Sequence, residues 1–148
     1  MYYQPFSYEP NEYEGRQPQK VLREIAKAIN DELQAVQYYT RLAELAPNNQ
    51  FRQAVLAIRQ DEIKHLHWFS RVYQELSGKY PPITLGVELP GSFKRGVRDS
   101  IKDEQEAAPF YRRIAAQISN QQISQRFLRA ANDEQRHAQI FAQMAAGI

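Results

Sequence analysis

The sequence predicts an all-α protein: a four-helix bundle of two pseudo-symmetric helical hairpins joined by a long crossover. Three observations carry this: four apolar series with helical spacing, an internal duplication relating the first pair to the second, and the lengths of the connections between them.

The first series is Val21, Ile25, Ala28, Glu32, Ala35, Tyr39, Leu42 and Ala46, a 4-3-4-3 recurrence that lines one face of a helix. Pro18 suits its first turn, where N–H groups have no internal partner, and Pro47 stops it after about Ala46. The second series is Phe51, Val55, Ile58, Glu62, His65, Phe69, Val72 and Leu76; Asn48 and Asn49 offer caps, and Gly78 ends the helix. The stretch KYPPITLGVELPG cannot continue a helix, because its prolines and glycines break the pattern. Ser92 then caps the third series, Phe93, Val97, Ser100, Glu104, Ala107, Tyr111, Ile114 and Ile118. Pro109 falls inside this helix, so a kink or local loosening is expected there. After a break at Ser119 and Asn120, the fourth series runs Ile123, Phe127, Ala130, Glu134, His137, Phe141, Met144 and Ile148, to the end of the chain.

Every first-half seam position maps onto the second half at an offset of 72 residues, as from Glu32 to Glu104. The same offset relates Asp31 to Asp103, Asp61 to Asp133, Arg41 to Arg113 and Leu56 to Leu128. Two copies of a two-helix unit make a pseudo-symmetric bundle rather than a solenoid. Short links make each pair an antiparallel hairpin, while about 15 residues separate the pairs, enough at ~3.3 Å per residue to cross a bundle lengthwise. Residues 1–17, with Tyr2, Tyr3, Tyr8 and Tyr13 among prolines and glutamates, show no periodicity. They read as an N-terminal tail, with residues 18–148 forming the bundle domain.

With 148 residues, 43% of them hydrophobic, the chain can bury one respectable core. It has no cysteine, which excludes disulfides, zinc–thiolate sites and iron–sulfur or rubredoxin-type centres. No apolar run approaches the ~18–20 residues that span a membrane, and MYYQPFSYEP lacks the segments of a signal peptide. A cytoplasmic protein is expected. A net charge of +2 is too mild to imply nucleic acid, and Arg112, Arg113, Arg126, Arg129 and Arg136 read as solvated helix faces.

The seams carry the chemistry. A buried carboxylate without a partner costs several kcal/mol, yet each seam has a glutamate at its middle. On a helix, residues i and i+3 lie side by side, so Glu62 and His65 aim at one point, as do Glu134 and His137. With Glu32 and Glu104 the bundle centre receives four carboxylates and two imidazoles. Two divalent cations would balance the four negative charges, and two carboxylate-bridged metals sit ~3.5–4 Å apart. Oxygen and imidazole ligands without thiolate favour iron, with manganese as the other candidate. Asp61 and Asp133, each preceding a seam glutamate, are placed to hold the outer imidazole nitrogens, reaching across to His137 and His65 respectively. Tyr39 and Tyr111 follow Glu32 and Glu104 by seven residues on the same face. They can bond site carboxylates, supply an electron or simply pack. His67, whose equivalent is Gln139, reads as a surface residue.

This pattern, a Glu on the first and third helices and Glu-x-x-His on the second and fourth, resembles the ferritin-like di-iron carboxylate proteins, especially bacterioferritin and the helical domain of rubrerythrin. The likeness covers residues from about 20 to 145. It implies that Glu62 and Glu134 bridge two irons, with Glu32 and His65 completing one ion and Glu104 and His137 the other. It also implies oxidation of Fe(II) by O2 or H2O2, in peroxide defence or iron handling, with an outside electron donor and a homodimeric assembly. Four departures narrow this. Ala107 stands where rubrerythrin has a further glutamate, and the chain has no cysteines for a rubredoxin donor. Ile63 stands where bacterioferritin has its haem-binding methionine, so haem is not expected. No fifth helix of the ferritin-cage kind is expected after the fourth. The alternative reading is a non-catalytic iron- or manganese-binding module that assembles through its tyrosine-rich tail, for instance in a spore coat.

Overall fold

The computed structural model describes residues 17–84 and 86–148. Of the tail read from residues 1–17, residues 1–16 lie outside the described residues and Gln17 opens the first helix. Four helices follow one another: α1 (Gln17–Leu45), α2 (Asn49–Ser77), α3 (Phe93–Ala116) and α4 (Gln121–Ala146).

Side chains close the helix starts. The Asn48 side chain accepts from the Phe51 N–H at 2.8 Å, Ser92 Oγ from Arg95 N–H at 3.3 Å, and Asn120 Oδ1 from Ile123 N–H at 3.2 Å. Each bond satisfies one of the orphan donors of a first turn. Helix α2 ends where Gly78 turns left-handed at φ 72° and gives its N–H to Gln74 O at 2.9 Å, a conformation that a side chain would penalise.

Buried hydrogen bonds fix the directions. Tyr39 bonds Glu104 while Tyr111 bonds Glu32, so α1 and α3 run antiparallel. His65 bonds Asp133 while His137 bonds Asp61, so α2 and α4 do as well. Each hairpin is itself antiparallel, which leaves α2 and α3 pointing the same way. The connection between them must therefore return along a bundle of roughly 35–45 Å, at ~1.5 Å per helical residue, and an extended strand of this length reaches. Asn30 clasps this strap to α1, donating to Pro82 O at 3.0 Å and accepting from Thr84 N–H at 2.7 Å.

The six polar side chains at the middles of the seams divide the core into two apolar clusters. One gathers Ile25, Ile29, Phe69, Tyr111, Ile114 and Phe127; the other Tyr39, Leu42, Val55, Ile58, Val97 and Phe141. In the first, Phe69 stacks on Phe127 with centroids 4.4 Å apart. In the second, a Cβ on Gly96 would sit 2.5 Å from Leu42 Cδ1, so glycine is what lets α3 approach α1 there.

The seams hold through their middles and fail at their ends. Leu76 and Ile148 are 44% and 36% exposed, because Leu76 is in the last turn of α2 and Ile148 lies past the end of α4, where no facing helix remains. Helix α4 stops at Ala146, short of the terminus, and α1 ends at Leu45. Pro109 does not break α3: it sits on the exposed face, where the Gln105 carbonyl left without its N–H partner can turn to water.

Candidate metal centre

Glu32, Glu62, His65, Glu104, Glu134 and His137 meet at the bundle centre, each no more than 2% exposed. They fall into two overlapping quartets. Glu32, Glu62, His65 and Glu134 each place a donor atom within 4.8 Å of the others, and so do Glu62, Glu104, Glu134 and His137. Glu62 and Glu134 belong to both.

Both imidazoles turn Nδ1 inward. His65 Nδ1 lies 2.9 Å from Glu134 Oε1 and 3.8 Å from oxygens of Glu32 and Glu62. His137 Nδ1 lies 3.0 Å from Glu62 Oε1 and 3.6 Å from Glu104 Oε2. The outer nitrogens are held across the α2–α4 interface: His65 Nε2 is 2.7 Å from Asp133 Oδ2, and His137 Nε2 is 2.9 Å from Asp61 Oδ2. A carboxylate on Nε2 holds a proton on that nitrogen, so Nδ1 is the nitrogen that can offer its lone pair to a metal at the centre. Burial alone would raise Asp61 and Asp133, but the histidine hydrogen bonds hold both below the usual carboxylate range.

The tyrosines cross between the hairpins. Each shares a seam with one glutamate but bonds the other: Tyr39 OH donates to Glu104 Oε1 at 2.5 Å, and Tyr111 OH donates to Glu32 Oε1. Burial and the surrounding carboxylates push both phenols well above their ordinary value, so they stay protonated donors.

Without a cation, protons must balance this much buried negative charge. Burial, then mutual repulsion, pushes Glu62 and Glu134 far above the ordinary range. Burial also raises Glu104, but hydrogen bonds from Glu134, His137 and Tyr39 bring it below that range. For His65, burial opposes the charged form, yet the Asp133, Glu134 and Glu32 carboxylates raise it to about 11. Even so, the inward atoms meet only one another: His65 Nδ1 faces Glu134 Oε1, His137 Nδ1 faces Glu62 Oε1, and Glu32 Oε2 and Glu104 Oε2 are buried with no hydrogen-bond partner. A buried polar atom left unsatisfied costs ~1–3 kcal/mol. The donor set is oxygen and imidazole, which suits divalent first-row metals and fits the charge of two of them.

One side of the centre is open. A cavity of about 550 Å³ reaches from the carboxylates outward between α1 and α3, past Ala35 and Ala107, with Val87 of the strap at its edge. At its rim, burial and the charges of Glu106, Asp99 and Glu104 push Asp103 up to about 6. Neither this cavity nor the role of Arg136 is visible in the apolar pattern. Arg136, read from sequence as a solvated face, bridges both outer aspartates, at 2.9 Å from Asp61 and 3.3 Å from Asp133. Its i,i+3 spacing from Asp133 was the available signal. His67 is exposed, as is Gln139.

A four-helix bundle with a long crossover is the ferritin-like fold, and the comparisons agree on the fold. Residues 97–148 match the Rubrerythrin family. The fold is similar to the bacterioferritin of Desulfovibrio desulfuricans, whose structure records a diiron site in different catalytic states, with a TM-score of 0.74, 19% identity, and coverage of 88% of this chain and 80% of that one. It is equally similar to a hypothetical protein from Pyrococcus furiosus, with a TM-score of 0.76, 17% identity, and coverage of 85% and 88%. The chain is thus similar to the Rubrerythrin family over α4 and most of α3, and shares its fold with these two structures. Among curated proteins it is 42% identical over 136 residues to the uncharacterized protein YhjR of Bacillus subtilis (strain 168), spanning 92% of this chain and 94% of that protein.

Proposed function

We propose that the centre holds two divalent ions, iron by preference and manganese as the other candidate, and that the protein oxidises Fe(II) with O2 or H2O2. The observation that carries this reading is the inward convergence of donor atoms from six buried residues into two overlapping quartets. Glu32 and His65 would hold one ion and Glu104 and His137 the other, with Glu62 and Glu134 serving both because they stand in both quartets. Bound iron would supply the redox chemistry, two Fe(II) giving two electrons to the oxidant and becoming Fe(III).

The chain supplies position and environment. Asp61 and Asp133 fix the imidazole orientation, and Tyr39 and Tyr111 steady Glu104 and Glu32. The two apolar clusters exclude water along the bundle axis, leaving the α1–α3 cavity as the way in for a small oxidant. Repeated turnover needs an electron donor from outside, since the chain has no cysteine for an iron–sulfur partner site. This chemistry fits peroxide defence or iron handling in a cytoplasmic, homodimeric protein. Among the described residues no helix is long and apolar enough to cross a membrane.

The test is anaerobic Fe(II) loading followed by a pulse of O2 or H2O2, read by the rise of Fe(III) absorbance. The wild-type protein oxidises its iron rapidly, and the faster oxidant identifies its role. Glu62→Ala and His65→Ala lose this activity. Full activity in either variant contradicts the assignment.

A further inference from the structure

The chain's only tryptophan stands between the centre and the surface. Trp68 follows His65 by three residues on α2, and its ring centroid lies 5.6 Å from that of the imidazole. The indole is partly exposed, and Lys64 Nζ lies over it, 5.2 Å from its centroid. The duplication does not repeat it, since the residue at the offset of 72 is Ile140. Asp61, Trp68 and Glu75 recur every seven residues on α2, and the outer two meet Arg136 and Arg126 of α4. Trp68 therefore lies on the α2–α4 side of the bundle, opposite the cavity between α1 and α3. That side is basic. Lys64, Arg71, Arg126, Arg129 and Arg136 stand there against Asp61, Glu75 and Asp133. Asp61 and Asp133 turn inward onto the imidazoles, and Arg129 has no carboxylate partner among the described residues.

We propose that Trp68 and the basic α2–α4 surface around it form the port at which an acidic one-electron carrier protein docks to reduce the centre. The port rests on the dimetal reading and places the outside donor that repeated turnover needs. Two encounters deliver one electron each, and two Fe(III) return to two Fe(II). The indole bridges the transfer and neither gains nor loses an atom. Its ring, packed against the His65 imidazole and reaching the surface, gives the electron a short route through side chains. The charge of the face selects the partner. A carrier with an acidic surface is steered to it, which raises association by roughly 10- to 1,000-fold at low salt and fades as salt rises. Oxidant and reductant then approach from opposite sides, the small oxidant through the cavity and the carrier against α2 and α4.

The experiment follows reduction of the Fe(III)-loaded, full-length protein by stopped flow with two donors: flavodoxin hydroquinone, an acidic protein, and reduced methyl viologen, a small cation. At low salt Arg71→Glu/Arg129→Glu is reduced about tenfold or more slowly than wild type by flavodoxin, and at least as fast as wild type by methyl viologen. Arg98→Glu/Lys102→Glu, the same change of charge on α3, matches wild type with flavodoxin. Trp68→Leu holds as much iron as wild type but is reduced more slowly by flavodoxin at low and high salt alike. Trp68→Phe, which keeps a ring against His65, recovers most of the rate. In the metal-free protein, iodide quenches the Trp68 fluorescence more strongly than caesium ion does, and Arg71→Glu/Arg129→Glu narrows that preference. Wild-type rates in the charge-reversed double variant or in Trp68→Leu overturn the port and leave the centre standing. So does a double variant slowed equally with both donors, equal quenching by the two ions, or a wild-type centre that methyl viologen reduces and flavodoxin does not. Absence of bound iron in the wild-type protein overturns the centre itself, and the port with it.

Discussion

The two hairpins share what faces inward and differ in what faces outward. Glu32 and Glu104, Glu62 and Glu134, His65 and His137, Tyr39 and Tyr111, and Asp61 and Asp133 are pairs at one offset, and each occupies an equivalent place around the centre. Outward positions have drifted: His67 faces Gln139 across the duplication, Gln34 faces Glu106, and Lys27 faces Asp99. The apolar clusters lie between these extremes. Where α2 has Val55 and Ile58, α4 has Phe127 and Ala130, so bulk has moved along the seam. A close-packed interior constrains total volume more tightly than identity, whereas the centre constrains the atoms themselves.

That contrast can be broken most severely at the residues both quartets share. Glu62→Ala and Glu134→Ala should each abolish binding of both metals, since each removes a donor from both positions; metal analysis after desalting checks this. Glu32→Ala and Glu104→Ala remove a donor from one quartet only, and should each reduce bound metal from two ions toward one. If the hairpins are equivalent at the centre, the two variants behave alike, and a large difference in stoichiometry would show that the symmetry is only apparent.

Smaller effects sharpen the comparison further out. Asp61→Asn and Asp133→Asn should each weaken metal affinity by about 10- to 100-fold, the usual cost of losing the partner of a ligating imidazole, as measured by competition with a chelator. Phe127→Ala should destabilise the metal-free protein by ~3–5 kcal/mol in urea unfolding, because its ring stacks on Phe69. Val55→Ala, at the equivalent position, has fewer atoms to lose and should cost less. Tyr39→Phe and Tyr111→Phe should each cost ~1–3 kcal/mol, because each leaves a buried carboxylate oxygen without its donor. The loss should be similar for the pair, and unequal values would locate a difference between the half-sites.

Much of this was legible in the sequence because a glutamate or histidine in the middle of an apolar seam has no ordinary explanation, and four seams made the same exception. Proline, glycine and asparagine signals placed the helix ends within a residue or two, because caps act through local hydrogen bonds. Features that depend on how helices meet were harder to see. The tyrosines share a seam with one glutamate yet bond the other across the α1–α3 interface, a choice set by tertiary register. Arg136 spans two helices and looked like surface from one. The cavity exists because Ala35 and Ala107 leave space between facing helices, and a small residue does not announce the void beside it.

The central claim is that six buried side chains exist to hold two metal ions. Metal content per chain after anaerobic loading with excess Fe(II) and removal of unbound ion tests it most directly. The account predicts two irons per wild-type chain and none in Glu62→Ala. A wild-type protein that retains no metal under these conditions, while staying folded, would contradict it, and the polar centre would then be a network held by protons alone.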